Sequence, residues 1–388
     1  MMSKYNTDTL FDVNQPDPLQ GGRVVRISFD SGADAVFDYL LPDKLGGIQI
    51  GQRVEVPFGR KNKLKKGFCV GIEGAKGTES RGRGFKLKVV KRIIDDKPLL
   101  DSALMELAEW ISTYYVCPLG QVLSAMVPAA VKKGLGIKSK ILVYLTNRQD
   151  CQSQFTSNKQ KEIFDILCQA EAFDAESGVE KLRLLGQAKC TVAPLKTLAS
   201  KDIVRVARQE VLKFLPVVPE AFRPAEKKVV LNTEQAEAVS KITDAVAAGE
   251  FGVTLLYGVT DSGKTEVYIR AIEAVIARGK TAIVMLPEIA LTAQTAQRFS
   301  SRFSRIAVMH SALTAAQRNG QWQKIRAGRA DVVIGARSAV FAPLTNLGLV
   351  VVDEEHEASY KQDTVPRYHG RDVAIKRAQL AGAHCVLG

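Results

Sequence analysis

Apolar and polar residues alternate with a period of two through much of the first hundred positions. Val54, Val56 and Phe58 occupy every second place in one such run, the spacing that turns one face of a strand towards a core. Runs at 23–29, 35–41, 52–58, 67–72 and 87–94 predict five short strands. Residues 59–66 read as a basic connection and 74–84 as a longer, glycine-rich one. The period then lengthens: Leu104, Leu107, Ala108 and Ile111 recur at helical spacing behind Asp101, a residue type that caps helix starts.

Helical stretches at 159–169, 178–185 and 193–199, followed by a strand-like 202–206, suggest a winged helix-turn-helix, though small helical units also serve as spacers. Pro216, Pro219 and Pro224 then break any helix and predict a linker. From 229 onwards the pattern is apolar strand and helix in turn, with strands expected at 253–257, 281–286, 331–334 and 348–352. That alternation predicts a parallel sheet covered by helices on both faces. The expected organisation is therefore a polar N-terminus at 1–20 and a β-rich domain at 21–130. A winged-helix domain at 150–212, a linker at 213–228 and an α/β lobe at 229–388 complete it.

Composition narrows the function. The 388 residues are 46% hydrophobic and 24% charged, ordinary for a globular protein long enough to build several cores. No apolar run reaches the ~18 residues of a membrane span, and the start of the chain lacks the features of a signal peptide. Six cysteines without metal-ligand spacing fit reduced thiols in a cytoplasmic protein. The net charge of +13 is uneven: Arg53 to Arg92 hold thirteen Lys or Arg against three Glu. Such clustering is the footprint of a phosphate-neutralising surface, with a solvated loop as the blander reading.

Two motifs carry chemistry. Gly258, Val259, Thr260, Asp261, Ser262, Gly263, Lys264 and Thr265 fit GxxxxGK[ST] between a predicted strand and a predicted helix. Backbone N–H groups would cradle phosphates, Lys264 would reach the β and γ oxygens, and Thr265 would ligate Mg²⁺. Some ninety residues on, Val350-Val-Val-Asp-Glu-Glu-His356 ends an apolar strand in carboxylates. Asp353 would hold the Mg²⁺ and Glu354 would orient or deprotonate the attacking water.

The second motif is similar to the DExH box of helicase superfamily 2. Strings spread along the chain go further. Phe37-Asp-Tyr-Leu-Leu-Pro42, Val54-Glu-Val-Pro-Phe-Gly59, Tyr114-Tyr115 with Pro118-Leu-Gly120, and Leu231-Asn-Thr-Glu-Gln235 lie ahead of the phosphate loop. Leu286-Pro-Glu-Ile-Ala-Leu-Thr292, Gly335-Ala-Arg-Ser338 and the stretch from Asp353 to Gln362 follow it. In order and spacing they resemble the PriA family of bacterial primosomal replication-restart helicases.

That resemblance implies a RecA-like motor lobe and a 3′ to 5′ DNA helicase, driven by ATP and Mg²⁺, that recognises stalled forks. Gln235 would read adenine, and His356 would relay nucleotide state to DNA contacts. Thr292, Arg337 and Ser338 would hold the single-strand backbone. Tyr360, Arg367 and Tyr368 would belong to an aromatic-rich loop that stacks on a base. In the β-rich domain Phe37, Asp38, Gly59 and Lys88 would receive a nascent 3′ end. The implied partners are forked and single-stranded DNA, single-strand-binding protein and primosome proteins, with no membrane and a monomeric state.

Two departures qualify the implication. Asp261 stands where the family has Gly. The chain also ends at Gly388, ahead of the expected third motif, a zinc-binding cysteine region and a second motor lobe. Alone it is expected to bind DNA without unwinding it. The alternative is a non-catalytic fork-binding module with a degenerate motor.

Overall fold

The computed structural model describes residues 22–32, 34–73, 87–134, 137–146, 155–212, 230–259 and 262–388. The glycine-rich connection, the terminus at 1–20, the linker at 213–228, Thr260 and Asp261 fall outside them. Contacts divide the chain into two units, Met1–Lys133 with Pro216–Gly388, and Gly134–Leu215.

The first unit opens with strands β1 (Gly22–Ser28), β2 (Val36–Pro42), β3 (Arg53–Phe58), β4 (Lys63–Glu73) and β5 (Arg92–Ile93). They form one sheet in the order β2-β1-β4-β3-β5. Alternation sends Val25, Ile27, Tyr39, Val54 and Val56 into a common core. The basic connection expected at 59–66 shrinks to a turn at 59–62. Gly59 and Asn62 adopt positive φ there, the chain doubles back, and Lys63 to Lys66 pair with β3 as part of β4. Of the run at 87–94, only β5 and a bridge from Val89 to Leu40 enter the sheet.

Helices α1 (Ser102–Tyr114), α2 (Leu119–Met126) and α3 (Ala129–Lys132) follow. Asp101 caps α1 by accepting from the Leu104 N–H at 2.9 Å. Buried Arg53 ties sheet to helices: it meets Asp95 at 2.6 Å and donates to the Lys132 carbonyl at 2.8 Å.

The second unit pairs β6 (Ile137–Leu145) antiparallel with β8 (Val204–Leu212), with β7 (Val179–Glu180) on the other side of β6. Helices α4 (Asn158–Gln169), α5 (Lys181–Gln187) and α6 (Val192–Ser200) share a core through Ile163, Leu167, Leu184, Leu195 and Leu198. The three helices and the last strand follow the pattern read from the sequence, except that the stretch expected as helix from 178 begins as β7 and turns helical only at Lys181; β6 and β7 are additions.

The α/β lobe comprises α7 (Thr233–Ala248), β9 (Gly252–Leu255), α8 (Lys264–Ala277), β10 (Thr281–Met285), α9 (Ala293–Ser300) and β11 (Ile306–Met309). After these come α10 (Ala315–Arg326), β12 (Val332–Gly335), β13 (Leu347–Val352), α11 (Gly370–Ala381) and β14 (His384–Leu387). All six strands run parallel, in the order β11-β12-β10-β13-β14-β9. Alternate residues separate two cores. Ala282, Val284, Ile334 and Val351 meet α7, α8 and α9 on one face. Ile283, Val333, Val350 and Cys385 meet α10 and α11 on the other, in a core shared with Leu104, Ile111 and Leu123 of α1 and α2. β9 is one of the two edge strands; Val253 and Leu255 are exposed, as are Tyr257 and Val259 beyond it. No described helix is long and apolar enough to cross a membrane.

Candidate functional site

The loop after β9 leads directly into α8, whose cap residue Gly263 has φ +89°. A side chain there would be strained, and its Cβ would lie 2.3 Å from the Gln235 amide nitrogen. Gln235 closes this corner. It forms a capping box with Asn232 at the start of α7, and its Nε2 donates to the Ser262 carbonyl at 2.9 Å. One donor and one acceptor position of its amide are thus committed within the protein.

Lys264, in the first turn of α8, donates to the Gly258 carbonyl at 2.9 Å and lies 3.5 Å from Glu354 Oε1. Thr265 follows it. The carboxylates come from the end of β13, where Asp353 N–H bonds to Met285 O of β10 and Glu354 takes a positive φ of 45°. Burial raises the Asp353 carboxyl above the ordinary carboxylate range, opposed by a 3.0 Å bond from the Tyr268 hydroxyl. His356 is 73% exposed and its Nε2 sits 3.8 Å from Glu354 Oε2.

Other expected residues separate into groups. Thr292 is exposed and caps α9 by accepting from the Thr295 N–H. Arg337 donates to the carbonyls of Ser359 and Lys361, and Ser338 beside it is exposed. Buried Arg377 holds that turn from below through the Val340 and Ala342 carbonyls. Arg367 is exposed. Tyr360 and Tyr368, expected to stack on a base, are buried in this structure, at 1% and 2% exposed. Tyr360 is bonded to the Asp353 carbonyl, and Tyr368 packs against Phe341. Both rings pack against the loop from within.

In the β-rich domain Phe37 is half-buried, 5.2 Å edge-on to Phe58, and Lys65 lies over the Phe58 ring at 4.9 Å. Lys88 Nζ donates to the Gly59 carbonyl at 2.7 Å. Phe37, Gly59 and Lys88 thus gather at one corner of the sheet. Strand alternation turns Asp38 to the opposite face, across from Arg26.

Two family models match this chain in the order of its domains: 3′ DNA-binding domain (3′BD) over residues 24–128 and DEAD/DEAH box helicase over 232–379. The replication restart protein PriA of Bacillus subtilis is 34% identical, the alignment covering 92% of this chain and 51% of that protein. That of Haemophilus influenzae is 35% identical over 94% and 49% respectively. The chain belongs to the PriA family. It spans about half the length of these PriA relatives. Among solved structures, RecG bound to a three-way DNA junction aligns at 15% identity and TM-score 0.31, over 95% of this chain and 46% of that one, too loose a likeness to carry an argument.

Sequence reasoning on this PriA-family lobe missed Tyr268, the hydroxyl that orients Asp353. The signal was present: Tyr268 lies four residues beyond Lys264, one helical turn along the same face.

Proposed function

We propose that the chain is the fork-recognising and nucleotide-binding part of an ATP-dependent DNA helicase, one that moves 3′ to 5′ and starts primosome assembly where replication has stalled. The observation that supports it best is the approach of Lys264 to Glu354 across the phosphate loop, with Asp353 adjacent. A phosphate oxygen competing for the Lys264 ammonium would displace Glu354, freeing that carboxylate to position a water. Gly263 gives the backbone room for a phosphate. Thr265 and Asp353 offer the hydroxyl and carboxylate oxygens that suit Mg²⁺, which when bound offsets the phosphate charge.

Phe37, Gly59 and Lys88 supply an aromatic ring, an open backbone and a cation for the 3′ end of a nascent strand. Arg337, Ser338, Thr292 and Arg367 would hold the backbone of the single strand. A cytoplasmic location and contacts with single-strand-binding protein and primosome proteins belong to the same reading.

The test compares this chain on a fork bearing a nascent 3′ end and on a blunt duplex of equal length. Tighter binding to the fork, weakened by Phe37→Ala, is expected; equal affinities would remove the fork-recognition claim. For the motor, DNA-stimulated phosphate release is expected from a polypeptide extended through a second lobe, and not from its Lys264→Ala variant. No release despite intact nucleotide binding would leave a DNA-binding scaffold instead.

A further inference from the structure

The end of α1 presents a ring that the proposed function does not use. Tyr114 is 60% exposed. Trp110, one turn earlier, covers one of its faces at 4.7 Å and 17°, and Tyr115 meets it edge-on at 4.9 Å. Tyr115 is itself pinned, its hydroxyl accepting from the His369 N–H at 3.1 Å and donating to Asp372 at 3.3 Å. The Tyr114 ring therefore stands on a rigid base, and little freedom is lost when something flat settles on it.

Cations flank this step. Lys361 Nζ lies 5.5 Å from the Tyr115 ring centre and Lys376 Nζ 5.9 Å from that of Trp110. Asp372 is engaged by Tyr115 and by Arg371. Glu106 and Glu109 precede Trp110 on α1. Arg337 bonds the carbonyls of Ser359 and Lys361, so a three-residue segment joins the backbone-holding arginine to the aromatic step.

We propose that Tyr114 is a base-stacking step for single-stranded nucleic acid, with Lys361 and Lys376 holding the adjoining phosphates. The proposal rests on the nucleic-acid reading above and moves the stacking contact from buried Tyr360 and Tyr368 to an exposed ring. Aromatic stacking of this kind is indifferent to base identity.

The test uses the whole chain with a fluorescent oligothymidine of about 15 nucleotides, long enough to cover one such site, at fixed salt. Tyr114→Ala and Tyr114→Leu are expected to weaken binding roughly 5- to 100-fold, and Tyr114→Phe to change it by less than about twofold. A strand carrying 5-iodouracil should crosslink to Tyr114 on irradiation. Wild-type binding that all three variants share, or a Tyr114→Leu variant as tight as wild type, overturns the stacking step alone. Absence of any single-strand binding by the wild-type chain overturns the nucleic-acid reading with it.

Discussion

Asp353 occupies a setting that favours its neutral form, and that has a consequence for stability. Burial raises its pKa in the folded chain above the value of about 4 expected when unfolded. The folded state thus keeps a proton the unfolded state has already released. The stabilising contribution of this group is full below the unfolded value and is lost as pH rises through the folded one. Asp353→Asn should accordingly raise the melting temperature at neutral pH and flatten its dependence on pH above 4, while removing Mg²⁺-dependent nucleotide binding. Thermal melts with and without Mg²⁺-nucleotide check both halves; a lower melting temperature at pH 7 would contradict the assignment. Asp261 poses the other single-residue question. A carboxylate about 4 Å from a phosphate oxygen costs about 4 kcal/mol at an effective dielectric of 20, near a thousandfold in affinity. Asp261→Gly should tighten ATP binding by up to that factor, measured by calorimetry, and an unchanged dissociation constant would mean that the side chain points away.

Between elements, the Arg53–Asp95 pair ties the N-terminal sheet to the helices that follow it. Both side chains are buried, and Arg53 also reaches the end of α3. Removing one partner strands a charge, so Asp95→Ala should cost about 3 to 5 kcal/mol, read from denaturant midpoints. Strands β1 to β3, helix α1 and the strand–loop–helix around Gly258 to Thr265 were legible because each carries a clean period or a local chemical requirement. β6 was not: Lys138 and Lys140 interrupt its first half and its second half is continuously apolar, so neither period emerges. β11 is a four-residue apolar run and β14 only three apolar residues after His384, and either could as well be helix interior. Lys264 and Glu354, named from local motifs some ninety residues apart, lie 3.5 Å from each other in the fold. Stacking by Tyr360 and Tyr368 was an implication of the family resemblance, and the burial of both rings comes from tertiary packing that no local pattern announces.

Across the whole molecule, positive charge on the β-rich domain sets how binding responds to ions. Each phosphate contact adds about 0.7 to 0.9 to the slope of log affinity against log salt. Lys88→Ala should lower that slope by one such increment without changing sequence preference, as a salt titration on forked DNA would show. At the same scale, β9 lies at an edge of its sheet. A strand with a neighbour on one side only among the described residues, its exposed Val253 and Leu255 continuing into Tyr257 and Val259, offers a ready template for the next extended segment it meets. Another copy of the chain can supply that segment. Solubility rather than folding stability will then set the concentrations at which nucleotide and DNA binding can be studied. Leu255→Lys should raise that ceiling, seen as a sedimentation coefficient that no longer climbs with concentration.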